Sequence, residues 1–214
     1  MKYLRDASQD EMICAFLCGE YGSTRFGSEL RTAMRRVGCP EEYLLSAKLG
    51  DMVECDVRRR VLAEYRDWGK NTGLFERFPD RVRWLLAQCE PSDLDAIRYI
   101  RYSYWDELSK WTGLARQAAQ SVHEGQKVFG VSNTAFVEGA ELLRAEGTFA
   151  PMIALYSAAP RVVLLEGHSR LTAYALAPER FEGALCYMGW CARAALDDWA
   201  GPALCGAPDG YCDE

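Results

Sequence analysis

Histidine is scarce in this 214-residue chain: His123 and His168 are the only two. Of the nine cysteines, no two stand in C-x-x-C spacing. A closed zinc site draws on tight pairs of such ligands, so the sequence offers no metal centre. No apolar run approaches the roughly 18 residues that cross a bilayer. Met1-Lys2-Tyr3-Leu4-Arg5-Asp6 lacks the apolar stretch of a secretion signal. The expectation is a cytoplasmic protein with free thiols and no membrane partner. Cys14 and Cys18, four apart on an expected helix, read as two small buried hydrophobes.

Basic charge is missing from one end. Residues 181–214 hold a single basic side chain, Arg193, against six acids, whereas residues 1–180 hold 24 basic and 25 acidic side chains. The net charge of −6 therefore belongs mostly to the C-terminal end. The nearly neutral body gives little electrostatic drive toward nucleic acid. What remains is ordinary for a globular chain, 49% hydrophobic and 26% charged, and long enough to bury a core without disulfides.

The first third reads as helical. Ser8-Gln9-Asp10-Glu11 has capping-box spacing ahead of Met12, Ile13, Phe16 and Leu17. A second helix is expected from Ser28, with Leu30, Ala33, Met34 and Val37 on one face and a stop at Gly38. A third spans Asp51 to Trp68, and its Arg58-Arg59-Arg60 run reads as a solvated face rather than a phosphate patch. Gly69-Lys70-Asn71-Thr72-Gly73 is a turn and not a Walker A loop, because the earlier glycine such a loop requires is Glu64 here. Val82–Cys89 reads as a strand, and Ser92 to Asp95 as a short helical turn. The aromatic and basic stretch Arg98–Trp105 also reads as a strand, with Tyr102 and Tyr104 on one face and Trp105 and Trp111 covering a core edge. Its alternative is a stacking surface for bases. Helices follow at Leu114–Glu124, with His123 a structural residue at its end, and from Ser132 to Gly147. Two short strands at 151–156 and 161–165, a helix from His168 to Ala177, a strand from Ala184 to Trp190 and a loose acidic tail complete the reading.

One stretch carries chemistry: Val162-Val163-Leu164-Leu165-Glu166-Gly167-His168-Ser169-Arg170. An apolar strand runs into a glycine and a helix begins at once. The unpaired N–H groups and positive dipole end of such a helix favour an anion. Gly167 admits close backbone approach. Arg170 could clamp a phosphate, His168 could donate to it or move a proton, and Glu166 could act as base or hold a phosphate-bound metal. Against this stands a structural reading in which Glu166 favours the helix dipole, His168 is a half-buried helix residue bonded to a backbone carbonyl, and Arg170 pairs with Glu166 or Glu179.

This strand-Gly-x-x-Arg-helix arrangement, with Pro151-Met152-Ile153-Ala154-Leu155 sixteen residues before Gly167 and the small Ala173 on the helix, resembles the ParB/sulfiredoxin-like family over residues 114–190. The expected fold is α+β: the helical N-terminal region (1–80), which lies outside the resemblance, packed on the small mixed-sheet domain (81–195) that the resemblance implies, followed by the acidic tail (196–214). The resemblance also implies phosphate or nucleotide binding, as ATP or CTP with Mg2+, through Gly167, His168, Ser169 and Arg170, with Glu166 and His168 as catalytic candidates for phosphoryl transfer or nucleotide hydrolysis. The departures are informative. Sulfiredoxins carry a catalytic cysteine where His168 stands, and chromosome-partitioning members have G-E-R-R, of which only Arg170 remains. The E-G-H-x-R form is closest to the free-serine kinase branch and to uncharacterised relatives. The alternative function is a non-enzymatic nucleic-acid or protein interaction module, using residues 98–105 and Arg58–Arg60, in which the turn is vestigial. No signal sets an oligomeric state.

Overall fold

The computed structural model describes residues 1–23, 25–158 and 161–201. It is mixed α+β, built on one six-stranded sheet in the order β1-β2-β6-β4-β5-β3. The strands are β1 (Lys2–Ala7), β2 (Arg83–Gln88), β3 (Ile97–Tyr99), β4 (Met152–Tyr156), β5 (Val162–Glu166) and β6 (Leu185–Trp190). Pairs β1–β2, β2–β6 and β4–β5 are antiparallel; β4–β6 and β3–β5 are parallel.

Side chains on successive strand residues leave opposite faces of a sheet, so an unbroken apolar run signals a strand covered on both sides. Met152 to Leu155 are all buried. Met152 and Ala154 join Leu164, Cys186 and Met188 in one core, while Ile153 and Leu155 join Trp84, Val163, Leu165 and Tyr187 in the other. Five helices cover the second face: α1 (Gln9–Tyr21), α2 (Gly27–Val37) and α4 (Met52–Arg66), with the short α3 (Glu42–Leu45) at their side, and α9 (Arg193–Ala200) from the far end of the chain. The first face is covered by α5 (Ser103–Leu108), α6 (Ala115–His123), α7 (Thr134–Arg144) and α8 (His168–Leu176). On α7, Gly139 lies against Ala173 of α8, where an added Cβ would stand 3.0 Å from the alanine Cβ.

The capping box forms as the sequence indicates: Ser8 Oγ accepts from the Glu11 amide at 3.2 Å, and the Glu11 carboxylate accepts from the Ser8 amide at 2.8 Å. Asp51 caps α4, and Gly38 ends α2 in the left-handed conformation. Five expectations are corrected. The first third is not wholly helical, because Lys2–Ala7 adds the edge strand β1, with a bulge between Tyr3 and Arg5. Arg58 is not solvated but wholly buried, donating to the Tyr43 and Lys48 carbonyls at 2.9 and 3.3 Å and to Glu54 at 3.2 Å. The 98–105 stretch is a strand only to Tyr99; Ser103 begins α5, and Asp106 in that helix takes an ion pair from Arg101 at 2.8 Å. Trp111 covers no core edge; it is 62% exposed beneath the Arg101 guanidinium. Residues 196–200, expected as part of a tail, belong instead to α9, which runs to Ala200 and buries Trp199, whose indole donates to the Leu74 carbonyl at 2.9 Å. The rest of that tail, and Ala159-Pro160 of the β4–β5 connection, lie outside the described residues. No helix among the described residues is long and apolar enough to cross a membrane.

Candidate functional site

Strand β5 delivers Glu166 at its C-terminal end, and α8 starts two residues later. Between them Gly167 has φ +104°, a conformation that costs a side chain strain. A Cβ there would also stand 2.9 Å from Met152 Cγ. Two physical reasons thus converge on glycine at this position. No side chain caps α8, so its first-turn amides meet no side-chain acceptor, and Ser169 is exposed beside them.

Glu166 at the end of β5 and Arg170 in the first turn of α8 form an ion pair through Oε2 and Nη2, and both side chains are largely buried. The second terminal guanidinium nitrogen, Nη1, donates to the Ala150 and Pro151 carbonyls at 2.8 and 2.9 Å. Arg170 thereby joins β5, α8 and the segment leading into β4. Burial pushes its pKa down to about 10, opposed by the charge of Glu20. Helix α1 closes over the pair: a Cβ on Gly19 would lie 2.9 Å from Arg170 Nη2 and 3.2 Å from Glu166 Oε2. The neighbouring Glu20 is buried. It accepts from Tyr65 Oη at 3.2 Å and from Arg66 at 3.5 Å, and burial raises its pKa against the pull of Arg66.

His168 faces a different environment. Its ring stacks on Trp105 and Tyr99, with centroids 5.1 and 5.7 Å away and each pair of planes 22° apart. Burial alone pushes its pKa down to about 3, so the ring is neutral at physiological pH. Nε2 is buried and makes no hydrogen bond. Thr172 Oγ1 donates to the His168 carbonyl at 2.8 Å, which leaves Tyr99 Oη to donate to Thr172 at 2.7 Å.

The five residues singled out in the sequence are therefore adjacent but do not converge on one cavity. Glu166 and Arg170 face each other under α1, His168 enters the aromatic stack, and only Ser169 faces solvent freely. Of the two partners the sequence allowed Arg170, Glu166 is taken; Glu179 pairs with Arg144 instead. Two surface grooves, of about 330 and 310 Å³, include none of residues 166–170. No group of three or more His, Cys, Asp or Glu able to hold a metal occurs among the described residues. Sequence reasoning missed Gly19, Glu20, Tyr65 and Arg66, which reach the turn only through the tertiary fold. Tyr99 and Trp105 lay inside the aromatic stretch already noted, and that composition was their signal. Scanning family models and searching curated proteins and solved structures gave no match to this chain.

Proposed function

We propose that the β5–α8 junction binds a phosphate-bearing ligand, a nucleotide such as ATP or CTP with Mg2+ in the first instance. One observation carries this reading: α8 begins uncapped after a left-handed Gly167, with the Ser169 hydroxyl exposed beside its first-turn amides. Arg170 supports it indirectly. By neutralising Glu166 it removes a carboxylate that would repel an anion at the helix start. Ligand contacts then fall to main-chain amides, Ser169 and, where the aromatic stack opens, the neutral His168 Nε2. A base role for Glu166 requires its release from Arg170, so binding is favoured over phosphoryl transfer or hydrolysis. Seven free thiols among the described residues suit the reducing cytoplasm we assign to it.

Calorimetric titration of the full chain with ATP, CTP and inorganic phosphate, with and without Mg2+, tests the proposal. Binding is expected, and Ser169→Glu should weaken it at least about tenfold by placing a carboxylate at the helix start. No binding of any of the three, or binding unchanged in Ser169→Glu, overturns it. The second reading, an interaction module with a vestigial turn, is favoured by the closed Glu166–Arg170 pair and gains if the titrations are silent.

A further inference from the structure

Helix α1 carries two sulfurs one turn apart, on the side that meets Leu44. Cys14 and Cys18, one turn apart, hold their Sγ atoms 4.0 Å from each other, and the Cys18 thiol also donates to the Leu44 carbonyl at 3.2 Å. The buried guanidinium of Arg58 donates to Cys55 Sγ at 3.2 Å, and its charge reaches Cys14, Cys18 and Cys39. One buried cation, itself paired with Glu54, thus touches Cys55 and acts electrostatically on three further thiols. They are not equivalent: Cys14 is buried, whereas Cys18 keeps partial exposure. The hydrogen bond from Cys14 holds the Cys18 thiol below its ordinary range, and Arg58 adds to this against the effect of burial. The same bond, with burial, pushes Cys14 up. A low, partly exposed thiol beside a second thiol is the arrangement of a reactive cysteine and its resolving partner.

We propose that Cys18 is a hydroperoxide-reactive thiol and that Cys14 captures its oxidised form, making the middle of α1 a reversible dithiol site. The Cys18 thiolate attacks one oxygen of the hydroperoxide. The O–O bond breaks, the alcohol or water leaves with the thiol proton, and the sulfur is oxidised by two electrons to a sulfenic acid. Cys14 then attacks that sulfur; the S–S bond forms, the S–O bond breaks and water leaves with the Cys14 proton. Closure makes a geometric demand. Residues four apart on a helix have Cβ atoms roughly 5–6 Å apart, and a disulfide wants roughly 3.5–4.5 Å. The turn between Cys14 and Cys18 must therefore tighten. Gly19, the next residue, packs directly on the Glu166–Arg170 pair, so the distortion is delivered there. The chemistry itself does not depend on what that turn binds.

Trypsin should release Asp6–Arg25 as one peptide holding both cysteines. The reduced full chain is treated with stoichiometric hydrogen peroxide, quenched with an alkylating agent and digested. The expected product is this peptide, unalkylated at both positions and lighter than its reduced form by two hydrogen atoms, restored by a thiol reductant. In Cys14→Ala, whose small buried side chain keeps the helix, dimedone should label Cys18. A wild-type peptide that stays fully alkylated while other cysteines react, or one that gains oxygen at Cys18 without losing the two hydrogens, overturns the proposal.

Discussion

His168 shows how far burial can change a residue chosen from sequence for its chemistry. Its position in the first turn of a helix suggested a donor to phosphate or a proton carrier. Stacked on Trp105 and Tyr99, it is instead neutral, with its pKa lowered from 6.5 to about 3. The consequence for stability has a definite sign. Between those two values the unfolded chain binds a proton that the folded chain excludes, so stability is full above about pH 6.5 and falls as the pH drops toward 3. The limiting slope is about 1.4 kcal/mol per pH unit. In His168→Phe the stack keeps an aromatic ring but loses the titration. Urea unfolding midpoints measured from about pH 6.5 down to pH 4 should fall less steeply in this variant than in the native chain. Parallel profiles would show that His168 is not the residue that excludes the proton.

At the scale of elements, Arg170 acts as a staple. It binds the end of β5 through Glu166 and the entry to β4 through the Ala150 and Pro151 carbonyls, and it stands on α8 itself. Removing one partner of a buried pair leaves the other charge uncompensated, at a cost of about 3–5 kcal/mol, whereas removing both can be nearly neutral. Arg170→Met should therefore lower stability by about that amount, and Glu166→Gln combined with Arg170→Met should recover part of it in denaturant titrations. Equal losses in the single and double variants would remove the staple. The elements that make this junction were legible. Strand β5, Gly167 and α8 follow from an apolar run, a glycine and a helical repeat, as the first-turn Ser8–Glu11 box did for α1. The destination of Arg170 was legible only as a choice between Glu166 and Glu179, because the choice depends on where α1 lays Gly19 and where α7 places Arg144. β1 escaped notice because Lys2–Ala7 is a polar edge strand, exposed along nearly its whole length, with no apolar alternation to announce it. Arg98–Trp105 misled for the opposite reason: its aromatics suit a strand, yet tertiary packing turns Ser103 onward into α5.

For the whole molecule, the decisive fact is that one sheet serves two cores. The N-terminal helices and the chain from residue 81 onward do not each close a core alone. Ile153, Leu155, Val163, Leu165 and Tyr187 come from the second half of the chain but are covered by α1, α2, α4 and α9. β1 completes the sheet from the very start of the chain, against β2. A chain cut to residues 81–201 keeps α9 but loses α1, α2 and α4, and so exposes most of that apolar face, a patch of the kind soluble monomers rarely show. Burial of a Leu or Ile side chain is worth roughly 1.5–3 kcal/mol, so uncovering several of these five residues costs an amount comparable to the whole stability of an ordinary domain, about 5–15 kcal/mol. The truncated chain should bind a hydrophobic dye and lack a cooperative thermal transition. The intact chain should unfold in one step, with far-ultraviolet circular dichroism and tryptophan fluorescence coincident. Trp84 reports on the sheet and Trp105 on the aromatic stack, so the two cores are both represented in the fluorescence signal. Two resolved transitions, or a cooperative fold in residues 81–201, would mean that the halves are independent units and that the N-terminal helices only dock on a finished domain.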